Sequence, residues 1–226
     1  MTTALAIFVK TPGHSPIKTR LAAGIGARAA IAFHRRSAGA VAEVGQSVGT
    51  DLQPCWAVAE GAALDAPPWR DLPRLWQGEG GLDERLHHVY ATLLAQHERV
   101  LLVGADAPQL TRELLLQACD ALHDPTTPYV IGAARDGGFW LFGARVPIAR
   151  EVWSGVRYSC ADTAMQLCAA LGSPGAIAKL PTLADVDDAA DLDALEDTLA
   201  VLPSPLPAQR ALLHWLATRR PSAAPV

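Results

Sequence analysis

Short apolar runs alternate along the chain with longer segments whose apolar residues recur every three or four positions. The first run, Ala4 to Val9, is uninterrupted and stops just before Pro12-Gly13, which predicts a buried strand. Arg28 to Val48 is rich in Ala and carries Ile31, Phe33, Val41, Val44 and Val48, a composition that suits a helix. Pro54 to Ala59 reads as a second strand and is followed by a proline-rich turn at Ala66-Pro67-Pro68. Leu82 to His97 sets Leu82, Leu86, Val89, Leu93 and Leu94 near helical spacing, and Arg99 to Gly104 is a strand closed by its glycine.

Thr111 to Leu122 opens with a threonine that can cap a helix and places Glu113 in the first turn. Tyr129 to Ala134 and Phe139 to Phe142 read as strands separated by Arg135-Asp136-Gly137-Gly138. Ser159 to Leu171 is helical in pattern, Ala176 to Leu180 extended, and Asp188 to Leu199 a helix whose acidic start suits the positive end of its dipole. Such alternation predicts an α/β fold with a largely parallel sheet covered by helices on both faces. The one linker-like stretch is Leu202 to Pro207. A short helix over Ala208 to Arg220, carrying Leu212, Leu213, Trp215 and Leu216, is expected to dock on the main body before the chain frays in residues 221–226. The domain expectation is therefore residues 1–202 as the body and 203–226 as linker and docked helix.

Composition narrows the function classes. Among 226 residues, half are hydrophobic and 19% charged, a globular profile with material for a core. A formal net charge of −4 argues against a general nucleic-acid binder, which needs a strong basic field, but not against one nucleotide held by a few local cations. No apolar run approaches about 18 residues, and the N-terminus lacks the basic start of a signal peptide, so a cytoplasmic location without membrane contact is expected. Cys55, Cys119, Cys160 and Cys168 form no C-x-x-C pair and read as free thiols. Six tryptophans offer material for an interface, which is compatible with a homodimer.

Four segments can carry chemistry. In VKTPGHSPIKTRLA, Val9 to Ala22, a strand empties into a Gly- and Pro-containing loop bearing Lys10, Lys18 and Arg20, with hydroxyls at Ser15 and Thr19. Strand-to-loop junctions of this kind bind phosphates in α/β folds, so Lys10, Thr11, Gly13, Lys18, Thr19 and Arg20 are the candidate phosphate-binding residues. A P-loop is excluded because Ile17, not Gly, precedes Lys18. In LLVGADAPQLT, Asp106 follows an apolar strand where it can serve either a divalent cation or a turn. In ARDGGFWLFG, Asp136-Gly137-Gly138 either admits a ligand close to the backbone or forms a hairpin, and the segment alone favours the hairpin. In LPTLADVDDAADLDAL, Asp185, Asp187 and Asp188 precede a helix, and the capping reading is preferred for Asp188 and Asp191.

In their order, VKTPGHSPIKTRLA, GLDERL, VGADAPQLT, DGGFWLFG and LPTLADVDDAADL resemble the glycosyltransferase-like family with a nucleotide-diphospho-sugar transferase (GT-A) fold, linked by name to selenodomain or arsenosugar genes. The likeness spans about Ala4 to Leu199. The K-T-R run also resembles the phosphate loop of phospholactate guanylyltransferases. The resemblance implies a Rossmann-like three-layer α/β/α sandwich with a mostly parallel central sheet, a nucleotide or nucleotide-sugar donor, Mg²⁺ or Mn²⁺, and a small-molecule acceptor. It implies Lys18 and Arg20 on phosphates, Asp106 and Asp187 (or Asp185) on the metal, and Asp136 at the acceptor side as a candidate base. Two departures stand out. The family's D-C-P-D is here Asp106-Ala107-Pro108-Gln109, without its second carboxylate, and its W-S-T is Tyr158-Ser159-Cys160. The functional expectation is glycosyl transfer from a nucleotide sugar. The alternatives are nucleotidyl transfer with pyrophosphate release and a non-catalytic nucleotide-binding module with a degraded site.

Overall fold

The computed structural model describes residues 2–172 and 176–219, so the expected fraying of residues 221–226 and the last residue of the helix placed over Ala208 to Arg220 lie outside the described residues. Strand β1 (Thr3–Val9) is buried except at the half-buried Phe8, because it has a core on each side. Leu5, Ile7 and Val9 enter one core and Ala4 and Ala6 the other, the two-residue alternation of a strand between two helical layers. Around it a seven-stranded sheet is completed by β2 (Leu52–Val58), β3 (Arg74–Trp76), β4 (Arg99–Gly104), β5 (Tyr129–Ala134), β6 (Phe139–Ala144) and β7 (Ile177–Leu183). Their spatial order is β3-β2-β1-β4-β6-β5-β7. All adjacent pairs are parallel except those made by β6, which runs antiparallel to both β4 and β5. The expected three-layer, mostly parallel architecture is thus the one observed.

Helices α2 (Ala27–Ser47) and α4 (Arg112–His123) cover one face, where Val41, Val44, Leu115 and Ala118 pack with Trp56 and Trp69. Helices α3 (Leu82–Leu94), α5 (Arg150–Ser154) and α6 (Thr163–Ala170) cover the other, where Leu86, Val89, Trp153 and Leu167 meet Phe142. A third cluster joins α1 (Thr19–Ile25), α2, α7 (Asp191–Ala200) and α8 (Pro207–Ala217) through Leu21, Phe33, Leu195, Leu212 and Leu216. Gln209 of α8 donates from Nε2 to the carbonyls of Pro108 and Leu110, each at 2.8 Å, which ties this helix to the loop after β4. Four of the six tryptophans, Trp56, Trp69, Trp140 and Trp153, are core residues. No described helix is long and apolar enough to cross a membrane, and all four cysteines are free.

The sequence pattern missed β3 and α5, which are too short for a period to show, whereas the helix start expected at the end of Val9 to Ala22 is α1. It also started α6 and α7 too early. Ser159 has φ 59°, a left-handed conformation that cannot begin a helix, and the turn is instead tied by Thr163 Oγ1, which donates toward the carbonyls of Arg157 and Cys160. Before α7, Asp191 Oδ2 accepts the backbone N–H groups of Asp187 and Asp188, so residues 187–190 form a turn bound to the helix rather than part of it. Asp191 therefore holds the acidic segment in place, close to the capping part expected of it.

Candidate functional site

Strand direction decides which loops meet. Strands β1, β2, β3, β4, β5 and β7 all point the same way, so the residues that follow them share one edge of the sheet. The chain leaves β1 toward β2 and β3 on one side and later returns to β4 on the other, which makes the crevice between the ends of β1 and β4 the topological switch point where ligands of open α/β sheets bind. Lys10 follows β1, Asp106 follows β4, Asp136 follows β5, and Asp185 and Asp187 follow β7.

A cleft of about 580 Å³ opens at this edge, and Lys10, Lys18, Thr19, Arg20, Asp106 and Asp187 all line it. A larger hollow of about 940 Å³ lies at the opposite edge near His87 and Arg145, away from every segment with candidate chemistry. Thr11 and Gly13 do not line the cleft. Thr11 is buried: its Oγ1 accepts the Trp69 indole N–H at 2.9 Å, and its backbone N–H donates to Glu60 Oε2 at 2.9 Å. Gly13 has φ 88° and turns the loop, helped by the N–H groups of His14 and Ser15 donating to the Thr11 carbonyl.

At the centre of the cleft is Lys18. Its ammonium lies 3.0 Å from Asp106 Oδ2 and 3.5 Å from Asp187 Oδ1, and it donates to the Val186 carbonyl at 2.5 Å. Its side chain is only 8% exposed, so the charge is held by three oxygens drawn from two separate loops. Lys18 has φ 43°, a left-handed conformation, immediately before α1; this backbone strain accompanies the inward aim of the side chain. Arg20 extends from the first turn of α1 and meets Asp187 Oδ2 at 3.2 Å and Asp188 Oδ2 at 3.8 Å, with its side chain 70% exposed.

Asp136, Asp185 and Asp187 form a second feature: one carboxylate oxygen from each lies within 4.8 Å of the others. Burial, followed by the Asp136 charge, holds the Asp185 carboxyl above its ordinary pKa, and Asp187 adds to the shift. Such crowding of like charges suits a cation. Hard divalent ions take oxygen ligands, so the carboxylates of this edge fit Mg²⁺ or Mn²⁺ by donor chemistry, with Asp187 common to the acidic group and the oxygens around Lys18. Asp136 also accepts the Gly138 N–H at 2.8 Å, and Gly137 has φ 90° with no room for a Cβ, which would overlap the carbonyl of Ala161. The D-G-G run is thus the β5–β6 hairpin, as the segment alone suggested, and it carries Asp136 at its turn.

Three residues outside the candidate set help shape the site. His34 on α2 lines the cleft, and its Nε2 lies 2.9 Å from the Lys10 carbonyl, which can only accept, so Nε2 carries the proton. Burial, opposed by the Asp106 charge, holds this imidazole below its ordinary pKa. Gln77 donates from Nε2 to the Val9 and Ala57 carbonyls at 3.3 and 2.8 Å and so closes the cleft floor at the β1–β2 edge. Gln109 is buried and donates from Nε2 to the Ala184 carbonyl, linking the loop after β4 to the acidic segment after β7. A carboxylate has no N–H to give that carbonyl, so Gln109 performs a bridging task that the family's aspartate cannot. His34 and Gln77 show no sequence signal, since a lone His or Gln has no pattern around it, whereas Gln109 stood out only as the departure from the family's D-C-P-D.

Among solved structures, the chain is similar to a protein from Desulfovibrio desulfuricans provisionally assigned as a nucleotide-diphospho-sugar transferase, with 25% identity, 96% of each chain covered and a TM-score of 0.80. It shares its fold with 4-diphosphocytidyl-2C-methyl-D-erythritol synthase from Anaerococcus prevotii (11% identity, 96% of each chain, TM-score 0.57). It also shares its fold with glucosyl-3-phosphoglycerate synthase from Mycobacterium tuberculosis, a structure holding Mn²⁺, UDP-glucose and phosphoglyceric acid (10% identity, 96% of this chain and 79% of that one, TM-score 0.51). No curated protein sequence matches the chain. A family model described as "Uncharacterized protein conserved in bacteria (DUF2064)" matches residues 40–160, a span that holds β2 to β6 with Asp106 and Asp136, and the chain belongs to that family.

Proposed function

We propose that the protein is a metal-dependent transferase using a nucleotide-activated donor, and that it moves a glycosyl group from a nucleotide sugar to a small acceptor. One observation carries this reading: the Lys18 ammonium sits among Asp106, Asp187 and the Val186 carbonyl, inside a cleft at the switch point of a sheet of this fold. A site built from two carboxylates and a carbonyl accepts a cation, and the cation resting on these oxygens is the lysine itself. Asp106 and Asp187 would hold Mg²⁺ or Mn²⁺, which when bound supplies charge neutralisation for the donor's phosphates. Lys18 and Arg20 would bind the phosphate oxygens, with Lys10 and Thr19 on the cleft wall beside them.

The chemistry of the remaining groups follows from position. An acceptor hydroxyl attacks the anomeric carbon of the donor; its proton passes to the Asp136 carboxylate, and the bond from that carbon to the phosphate oxygen breaks with the electron pair leaving on the nucleoside diphosphate. Negative charge thus develops on the leaving phosphate, where Lys18 and Arg20 stabilise it. Support also comes from the likeness to the Desulfovibrio desulfuricans protein over 96% of the chain. The test is a thermal-shift panel of nucleotide sugars and nucleoside triphosphates with and without Mn²⁺, followed by product analysis. Metal-dependent stabilisation by nucleotide sugars and release of nucleoside diphosphate are expected. Pyrophosphate release from a triphosphate would instead establish nucleotidyl transfer, and binding without turnover over a broad acceptor set would establish a binding module.

A further inference from the structure

Beside the cationic cleft, and sharing Phe8, Leu82, Gly104 and Ser159 with it, lies a second cavity of about 230 Å³. Its walls are of another kind. Phe8, Leu86, Leu102, Phe139 and Tyr158 make it apolar, and the exposed Asp136 is the only charged residue of its lining among the described residues. A phosphate or carboxylate placed there would meet no Lys or Arg side chain of the described lining and would face Asp136, whereas the neighbouring cleft offers Lys10, Lys18 and Arg20. The volume is below the roughly 300 Å³ of pockets that take drug-sized molecules. Ser159, which lines both cavities, is held in a left-handed conformation with φ 59°.

We propose that this cavity is the acceptor subsite and that it takes a small, uncharged molecule with an apolar body and a hydroxyl nucleophile, not a phosphorylated or carboxylated one. This rests on the transferase reading above. The apolar body lies against Phe8, Leu86 and Phe139, and the hydroxyl faces Asp136. Leu82, 45% exposed at the shared rim, is then covered when both sites are filled.

Cys160 lines this cavity while Cys168 does not, which supplies an internal control. Full-length protein is treated with iodoacetamide in the presence of benzyl alcohol, 2-phenylethanol, phenyl phosphate or phenylacetate, and the two cysteine peptides are quantified by mass spectrometry. The alcohols are expected to slow Cys160 alkylation about tenfold when present at about ten times their Kd, and to leave Cys168 unchanged. Saturation-transfer NMR gives a second readout: signals from the alcohols should vanish in a Cys160→Trp variant, which fills the cavity. Equal or better protection by phenyl phosphate, or alcohol signals that persist in the variant, would overturn the proposal. Thermal shifts with nucleotide sugar and Mn²⁺ on the same samples test the donor site alone. Their absence with alcohol protection intact would sink the transferase reading and leave a small-molecule site standing.

Discussion

Replacing Lys18 by Met is expected to move metal affinity and nucleotide affinity in opposite directions. The ammonium lies 3.0 Å from Asp106 and 3.5 Å from Asp187, with its own side chain 8% exposed. Two unit charges 3.0 Å apart attract by about 1.4 kcal/mol in bulk water and by about 5.5 kcal/mol at an effective dielectric constant of about 20. Asp106 is 41% exposed and Asp187 34%, which places the pair nearer the wet limit. A loss of about 2 kcal/mol is therefore expected, short of the cost of breaking a fully buried pair. In a chain of this length it lowers the Tm by about 4–8 °C. Mn²⁺ should then restore stability, because no ammonium competes for the carboxylates; at a hundred times its Kd a ligand contributes about 2.7 kcal/mol. The assay is differential scanning fluorimetry of wild type and Lys18→Met with Mn²⁺ alone and with Mn²⁺ plus a nucleotide sugar. Metal alone should shift the variant more than the wild type, and the nucleotide sugar should add less to the variant. Equal metal shifts in the two proteins would refute the view that Lys18 occupies the cation position, and undiminished nucleotide binding by the variant would refute its phosphate role.

Three other outcomes are expected. Asp136→Asn should lower kcat by about 10²–10⁴-fold, the usual contribution of a positioned base, with the donor Kd from calorimetry changed by less than about twofold; a variant with normal turnover would remove Asp136 from the chemistry. Gly137→Ala should cost about 3–5 kcal/mol in urea unfolding, since φ 90° strains an alanine and its Cβ would overlap the Ala161 carbonyl; a cost under about 1 kcal/mol would show that the hairpin readily gives way. Burial pushes the thiols of Cys55 and Cys119 up to about 11, so in native protein at pH 8 both should resist iodoacetamide and should react only as the pH approaches 11 or the protein unfolds; rapid native labelling of either at pH 8 would contradict their placement.

Much of this molecule is legible from its sequence because strands with a core on both sides are written as uninterrupted apolar runs. The runs at Ala4–Val9, Arg99–Gly104 and Tyr129–Ala134 fall on β1, β4 and β5, and the ends of β4 and β5 are placed to the residue. The gathering of Lys18, Arg20, Asp106 and Asp187 at one cleft also followed, since strand ends in a parallel sheet share an edge. Local geometry set limits on this reading. The start of α6 could not be seen because the left-handed turn at Ser159 leaves no mark in hydrophobic periodicity, and α7 began late because Asp191 binds backwards to two backbone N–H groups.

The tertiary structure alone decided which charges neutralise one another. Lys18 and Asp187 are 169 positions apart, and nothing local indicates that this lysine rests on Val186, Asp187 and Asp106 rather than in solvent. Nor does composition reveal that Asp136 and Asp185 converge, for their approach depends on β5 lying beside β7 in parallel register. The sequence carries the kinds of side chain and the strand ends that bear them, because propensity and periodicity are properties of neighbours. Which of those side chains share a cavity, and which cavity is cationic or apolar, depends on strand order and long-range packing.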